Sequence, residues 1–388
     1  MRHSERLERI PPYLFAQLER KIADKRAAGI DVITLGIGDP DIPTFPPIVE
    51  AAQRAVANPS THTYPSNRGR EEFREAVAGF YGRRFGVELE PDGEVMPAIG
   101  AKECIFNLNI AFLDPDDVAL AADPGYPVYT GGPLLAGARA ELMPLVPELG
   151  FIPDLDAVTA DARAAAKLLF VNYPNNPTGA IVPDGFFERL VEFGAANDIL
   201  IVHDNAYSET TYGGYVAPSF LATPGAKDVG VEVFSLSKGY NMTGWRCAAI
   251  VGNRDAIASY WRLKTNVDSG LFEAVQLTAA AALGPALDPY KAQMNETYRR
   301  RRDLVCDALA RIGVDVTPPQ GTIYIWAPVP PGYENAAAYC EHVLEEAAVV
   351  LSPGGAYGQN GEGFFRISLT TPDDRLEEAV ERLGRLSA

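Results

Sequence analysis

Between residues 94 and 251 the sequence alternates short apolar or β-branched runs with longer stretches of helical spacing. The runs fall at 95–99, 118–121, 168–172, 199–203, 231–235 and 248–251. Parallel strands need a crossover long enough to hold a helix, so this alternation predicts an α/β fold with a mostly parallel sheet covered by helices. The runs end in polar turns rich in glycine, proline or asparagine. Open α/β sheets bind ligands outside the carboxyl ends of their strands, and the chemistry is therefore expected in these turns.

The flanks read differently. An amphipathic helix is expected over 14–28, ended by Gly29, followed by a short strand over 32–35 and the loop 36–41. A helix opens on Pro46 and Pro47, where proline is tolerated, and another over 70–85 stops at Gly86. After the sheet region, 288–312 is a long helical pattern. Short strands at 322–326 and 364–369, with helices near 334–347 and 374–386, predict a smaller α+β unit on which the N-terminal helix packs. No internal repeat or low-complexity segment interrupts the chain.

With 388 residues, 47% of them hydrophobic, the chain can bury a large core and make two domains, or one large domain with a smaller partner. Its net charge of -17 argues against partners with a phosphate backbone and against docking on an anionic membrane. Cys104, Cys247, Cys306 and Cys340 form no CxxC pair. His3, His62, His203 and His342 are scattered, so neither a disulfide framework nor a metal site is expected. Residues 1–10 are charged, with no apolar core of a secretory signal, and no run is long enough to cross a bilayer. A reducing cytoplasm is the expected location.

The strand-end turns carry the chemistry-bearing residues. Tyr173-Pro174-Asn175-Asn176-Pro177-Thr178-Gly179 follows the run at 168–172, and Asp204-Asn205-Ala206-Tyr207 follows that at 199–203. Ser235-Leu236-Ser237-Lys238 closes the run at 231–235, with Gly244-Trp245-Arg246 shortly after, and Gly100-Ala101-Lys102-Glu103 opens a helix after 95–99. Singly, each has a bland reading: an ordinary turn, a helix cap over a packed ring, a surface loop, an ion-paired arginine. Their order and shared placement at strand ends are what is specific.

From Tyr13 to the C-terminal helix, this set resembles the class I/II, fold-type I, pyridoxal-phosphate-dependent aminotransferases. The resemblance implies a large domain with a seven-stranded, mostly parallel sheet over 46–287. It also implies a linking helix with a small α+β domain over 288–388, and an N-terminal segment, 1–45, packed on the small domain. It implies pyridoxal 5'-phosphate as cofactor, with Lys238 as its Schiff-base lysine and proton shuttle. Asp204 matches the carboxylate that keeps the pyridine nitrogen protonated, and Asn176 and Tyr207 match the donors to the ring's phenolic oxygen. Ala101, Lys102, Ser235, Ser237 and Arg246 match the phosphate donors, where a helix N-terminus, hydroxyls and a fixed cation favour an anion. Tyr126 matches the ring-stacking aromatic, and Tyr64 a tyrosine supplied to the phosphate by the other subunit of a homodimer. Arg366 matches the arginine that pairs with the substrate carboxylate, with Gly38 and Asn176 beside it.

Within that family the likeness runs to the LL-diaminopimelate aminotransferases, carried by Pro12-Tyr13-Leu14-Phe15, Leu35-Gly36-Ile37-Gly38-Asp39, residues 173–179, 203–208 and 237–246, and Asn266-Val267-Asp268-Ser269-Gly270. It implies Tyr13, Lys102 and Asn266, the last from a neighbouring subunit, as further substrate contacts. The acceptor would be 2-oxoglutarate, in lysine and peptidoglycan precursor synthesis. Two residues depart from the pattern: Ala248 where a glycine is usual, and Glu273 where a neutral amide is expected, which bears on dicarboxylate preference. Aspartate, alanine, aromatic or succinyl-diaminopimelate specificity, or cleavage of a C–S bond, would use the same catalytic residues. A cofactor-binding transcription regulator would need an appended DNA-binding domain. A nicotinamide dehydrogenase would need a third glycine after Gly36-Ile37-Gly38.

Overall fold

A computed structural model describes residues 2–10 and 14–386 of the chain. Its first strand, β1 (Ile33–Thr34), lies outside the main sheet. That sheet comprises β2 (Val95–Ala98), β3 (Val118–Asp123), β4 (Arg139–Pro144), β5 (Ala166–Val171), β6 (Leu200–Asn205), β7 (Gly230–Ser235) and β8 (Ala248–Gly252), in the order β2-β8-β7-β6-β5-β3-β4. The five strands from β4 to β7 are mutually parallel, β8 is antiparallel to β7, and β2 is antiparallel to β8. The sheet is therefore mostly parallel, as expected. Every residue of β2, β3, β7 and β8 is buried, which is why these strands read as unbroken apolar runs. The pleat of β5 sends Leu169 and Val171 to one core and Leu168 and Phe170 to the other.

β4 is the strand that the pattern of apolar runs missed. It sits at the sheet edge, and of its six residues only Met143 is buried. An edge strand with a wet face has no need of a continuous apolar run.

The C-terminal strands are β9 (Tyr324–Pro328), β10 (Val349–Val350), β11 (Ser352–Pro353) and β12 (Phe364–Ser368). β11, β12 and β9 form an antiparallel sheet, and β10 pairs in parallel with β1. Ile22, Val32, Leu344 and Val350 pack together beneath that pair. The two ends of the chain thus share one small unit.

Arg301, buried on the helix Asp288–Arg311, anchors the loop that leads away from β1. Its guanidinium donates twice to Asp41, at 2.7 and 2.9 Å, and also to Asp373 and to the carbonyl of Leu369. A buried cation with every edge paired resists rearrangement, since moving it would leave a charge with fewer partners. The loop 36–41 is thereby fixed over the ends of the central strands.

Candidate active site

At the carboxyl ends of β5, β6 and β7, below the 36–39 loop and β9, the chain encloses a cavity of about 330 Å³. At its floor is Asp204, one residue from the end of β6 and 6% exposed. Its Oδ2 accepts from Tyr129 Oη at 2.7 Å, while Oδ1 is buried with no partner among the described residues. Burial pushes this carboxyl up to about 6, against the opposing influence of the Tyr129 hydrogen bond and of His203. Tyr129 is itself held by stacking on Phe170, with centroids 5.4 Å apart.

The asparagines after β5 serve as a template. Asn172 Nδ2 donates to the Asp204 carbonyl at 2.7 Å, and its Oδ1 accepts the backbone N–H of Asn176 at the same distance. One side chain therefore sets the positions of both Asp204 and Asn176. The Asn176 Oδ1 accepts from Arg366 Nη1 at 2.7 Å, which leaves its amide N–H groups to donate into the cavity.

Lys238 stands in the short helix Leu236–Gly239 directly after β7. Its Nζ donates to the Gly38 carbonyl at 2.5 Å. Burial lowers its pKa, and the charges of Arg366 and Arg246 act in the same direction, opposed by Tyr324 and Asp39. A depressed amine spends more of its time neutral, the form that can attack an aldehyde or accept a proton.

A second group of donors lines the same cavity. The helix Ala101–Phe112 presents its first N–H groups there, next to Lys102, Ser235, Ser237, Thr243 and Arg246. Gly100 adopts φ +80°, and a Cβ at that position would overlap the Arg246 guanidinium. Glycine is thus required for the cation to sit against the helix start. Arg246 itself adopts φ +54°, a left-handed conformation that is uncommon outside glycine and clusters at functional sites.

Arg366, 4% exposed on β12, faces the cavity rather than solvent. Its guanidinium lies 3.9 Å from the ring centroid of Tyr324 and 4.8 Å from that of Tyr357, and Nη2 donates to the Gly36 carbonyl at 2.9 Å. Nε is buried with no partner among the described residues.

The cavity thus brings together Gly38, Ala101, Lys102, Tyr126, Asn176, Asp204, Tyr207, Ser235, Ser237, Lys238, Arg246 and Arg366 from the sequence reading. It does not include Tyr64 or Asn266. Tyr64 is 88% exposed on a surface loop, and the Asn266 amide is turned to the carbonyl of Arg262 and to Thr265. Tyr13 lies outside the described residues. Tyr129, Asn172, Tyr324 and Tyr357 line the cavity without having been singled out. Of these only Tyr129 had a local signal, lying one helical turn beyond Tyr126. Glu273 does not line the cavity: it starts the helix Glu273–Ala282, and its Oε2 accepts from Arg70 at 2.7 Å. Ala248 opens β8, buried opposite Ser235.

The residues present fit pyridoxal phosphate. The unpartnered Oδ1 of Asp204 is a buried acceptor suited to a protonated ring nitrogen, and the helix start with Ser235, Ser237 and Arg246 is a donor set suited to a phosphate.

Residues 30–383 match the family described as aminotransferase class I and II. The chain belongs to that family and is an aminotransferase. It is 52% identical to an LL-diaminopimelate aminotransferase of Desulforudis audaxviator, over 98% of this chain and 96% of that protein. It is 48% identical to one from Moorella thermoacetica, over 100% and 98%. Among solved structures, substrate-bound BacF from Bacillus subtilis superimposes with a TM-score of 0.95 at 36% identity, covering 100% of this chain and 98% of that one.

Proposed function

We propose that the chain transfers the amino group of LL-2,6-diaminopimelate to 2-oxoglutarate, using pyridoxal phosphate. The observation that carries the substrate is the 52% identity with an LL-diaminopimelate aminotransferase over almost the whole of both chains. The cavity supports it: Arg366 is ready for one carboxylate, and Lys102, over the Tyr126 ring, is a second cation in the lining. A substrate with an amino-acid group at each end needs both.

The bound cofactor supplies an electron-withdrawing ring that stabilises negative charge at the substrate Cα. Asp204 would keep the ring nitrogen protonated through its free Oδ1. Tyr207 and the Asn176 amide would hold the ring oxygen, and Tyr126 would pack against the ring. Arg366 takes the substrate carboxylate on its free edge and fixes the Cα–H bond relative to Lys238. The Lys238 Nζ would take the proton from the substrate Cα and deliver it to the cofactor carbon that holds the amino nitrogen, a transfer that positioned general bases speed by about 10²–10⁴-fold. The 36–39 loop and β9 exclude water from the exchange.

The functional unit is a homodimer in this reading. Tyr64 and Asn266 stand on adjoining surface loops: a Cβ on Gly270 would meet Pro65 and Ser66. Val267 and Phe272 beside them are exposed at 55% and 45%. A surface with these apolar residues suits a second copy, whose cavity would receive Tyr64 and Asn266. The cytoplasm suits four cysteines that are all buried and unpaired. Among the described residues no helix is long and apolar enough to cross a membrane.

The test mixes the cofactor-loaded protein with LL-diaminopimelate alone and follows the visible spectrum. Conversion to the amine form of the cofactor, with no response to meso-diaminopimelate, is expected. Conversion only by aspartate, alanine or aromatic amino acids would remove the diaminopimelate assignment and keep the aminotransferase.

A further inference from the structure

Tyr324, the first residue of β9, is a cavity residue with no role so far. It is 3% exposed and touches the groups on which the reaction depends. Its hydroxyl accepts from Tyr207 Oη at 3.4 Å, with the two rings edge to face at 5.8 Å. Its ring carries the Arg366 guanidinium. A Cβ on Gly38 would overlap its hydroxyl, so the loop whose carbonyl holds Lys238 is packed against the same oxygen.

A phenol has one proton to donate. With nothing better in reach, Tyr207 spends that proton on Tyr324. An anionic oxygen in the cavity is a stronger acceptor, and Tyr207 then turns its proton to it. The Tyr207 oxygen is left as an acceptor, and the nearest hydroxyl is that of Tyr324. We propose that Tyr324 is a positioning residue that donates to Tyr207 in the loaded enzyme, so that two phenols in series hold the cofactor's ring oxygen as an anion. The proposal rests on the cofactor reading above.

Hydrogen bonds in a chain polarise one another, and a better second donor strengthens the first. The groups facing Tyr324 favour such donation. They are Arg366 on β12, Lys238 after β7, Tyr207 after β6 and Tyr298 on the helix Asp288–Arg311, with Asp39 and Asp204 acting on Lys238 and Tyr207 from further away. In the cofactor-free protein burial raises the Tyr324 phenol, but the charges of Arg366 and Lys238 and the hydrogen bond from Tyr207 outweigh it; the Arg366 cation, seated on the ring, is the influence that does not depend on the Tyr207 proton. An acidified phenol is the stronger donor.

The experiment compares wild-type and Tyr324→Phe holoenzymes by titrating the visible absorbance of the bound cofactor with pH. Phenylalanine keeps the ring under Arg366 and removes only the hydroxyl. With the second donor gone, the ring oxygen is less well held as an anion, and the midpoint moves upward by about half a pH unit. Substrate KM stays within about twofold in this variant, whereas Tyr324→Leu, which also removes the ring, raises it by about tenfold. That split separates the hydroxyl from simple packing. A wild-type band with a Tyr324→Phe midpoint that is unmoved or moves down overturns the relay alone. A wild-type protein with no pH-dependent band overturns the cofactor reading, and the relay with it.

Discussion

In the cofactor-free protein, Asp204 is a carboxylate held at a cost. Its carboxyl titrates near 6, against 3.8 for an unburied aspartate, because burial disfavours the charged form more than Tyr129 and His203 favour it. A group whose folded value is raised destabilises the fold as pH climbs from the unfolded value to the folded one, and the full penalty applies above both. The difference of 2.2, from 6 less 3.8, corresponds to about 3 kcal/mol at pH 8. At pH 5 about half of that remains. Asp204→Asn removes the charge and keeps an oxygen for the Tyr129 hydroxyl. The cofactor-free variant should therefore melt at a higher temperature than wild type, by a margin that widens between pH 5 and pH 8. Adding pyridoxal phosphate should reverse the order, because the cationic ring nitrogen stabilises only the carboxylate. The assay is paired thermal melts of both proteins, with and without cofactor, at the two pH values. A difference that is the same at pH 5 and pH 8 would refute the argument, since it would mean that Asp204 does not carry its charge into an unpaired site.

Three further substitutions test the surrounding parts. Lys238→Ala should abolish the pH-dependent visible band and slow turnover by about 10²–10⁴-fold or more, with normal turnover counting against its role. Arg366→Lys keeps the charge but loses the planar fork between Tyr324 and Tyr357. Substrate KM should rise by about tenfold, measured in steady-state assays, and an unchanged KM would place the carboxylate elsewhere. Glu232→Ala should destabilise the protein by about 3 kcal/mol or more, seen as a lower melting temperature. The fully buried Glu232 carboxylate accepts from Tyr81, Ser219, Asn205, His203 and the Phe220 backbone. An unchanged melt would show that this hub is dispensable.

Much of the cavity could be read from the chain because the relevant residues are local. Lys238, Asn176 and Ala101 each follow a buried strand within a few positions and Asp204 lies at the end of one, and buried strands declare themselves as apolar runs. Turn residues beyond such runs have little to do in packing, so a polar cluster there stands out. β4 was lost for the complementary reason: its edge position leaves most of its side chains in or near solvent. The partner of Glu273, Arg70, was hidden for another reason: the two are distant in sequence and meet only in the fold.

By itself, then, the sequence determined the strand–helix alternation, the turns that carry the chemistry and the family to which they belong, because these depend on periodicity and on short spacings. Only the tertiary structure decided which side chains meet across long separations. Tyr324 reaches Tyr207, and Arg366 reaches Asn176, over more than a hundred residues of chain. Tyr129 finds Asp204 from a different strand connection. In a strand such as β9 or β12, apolar neighbours surround a tyrosine or an arginine whether it faces solvent or a cavity. Its direction is fixed by the element packed against it, and that element is chosen by the fold as a whole.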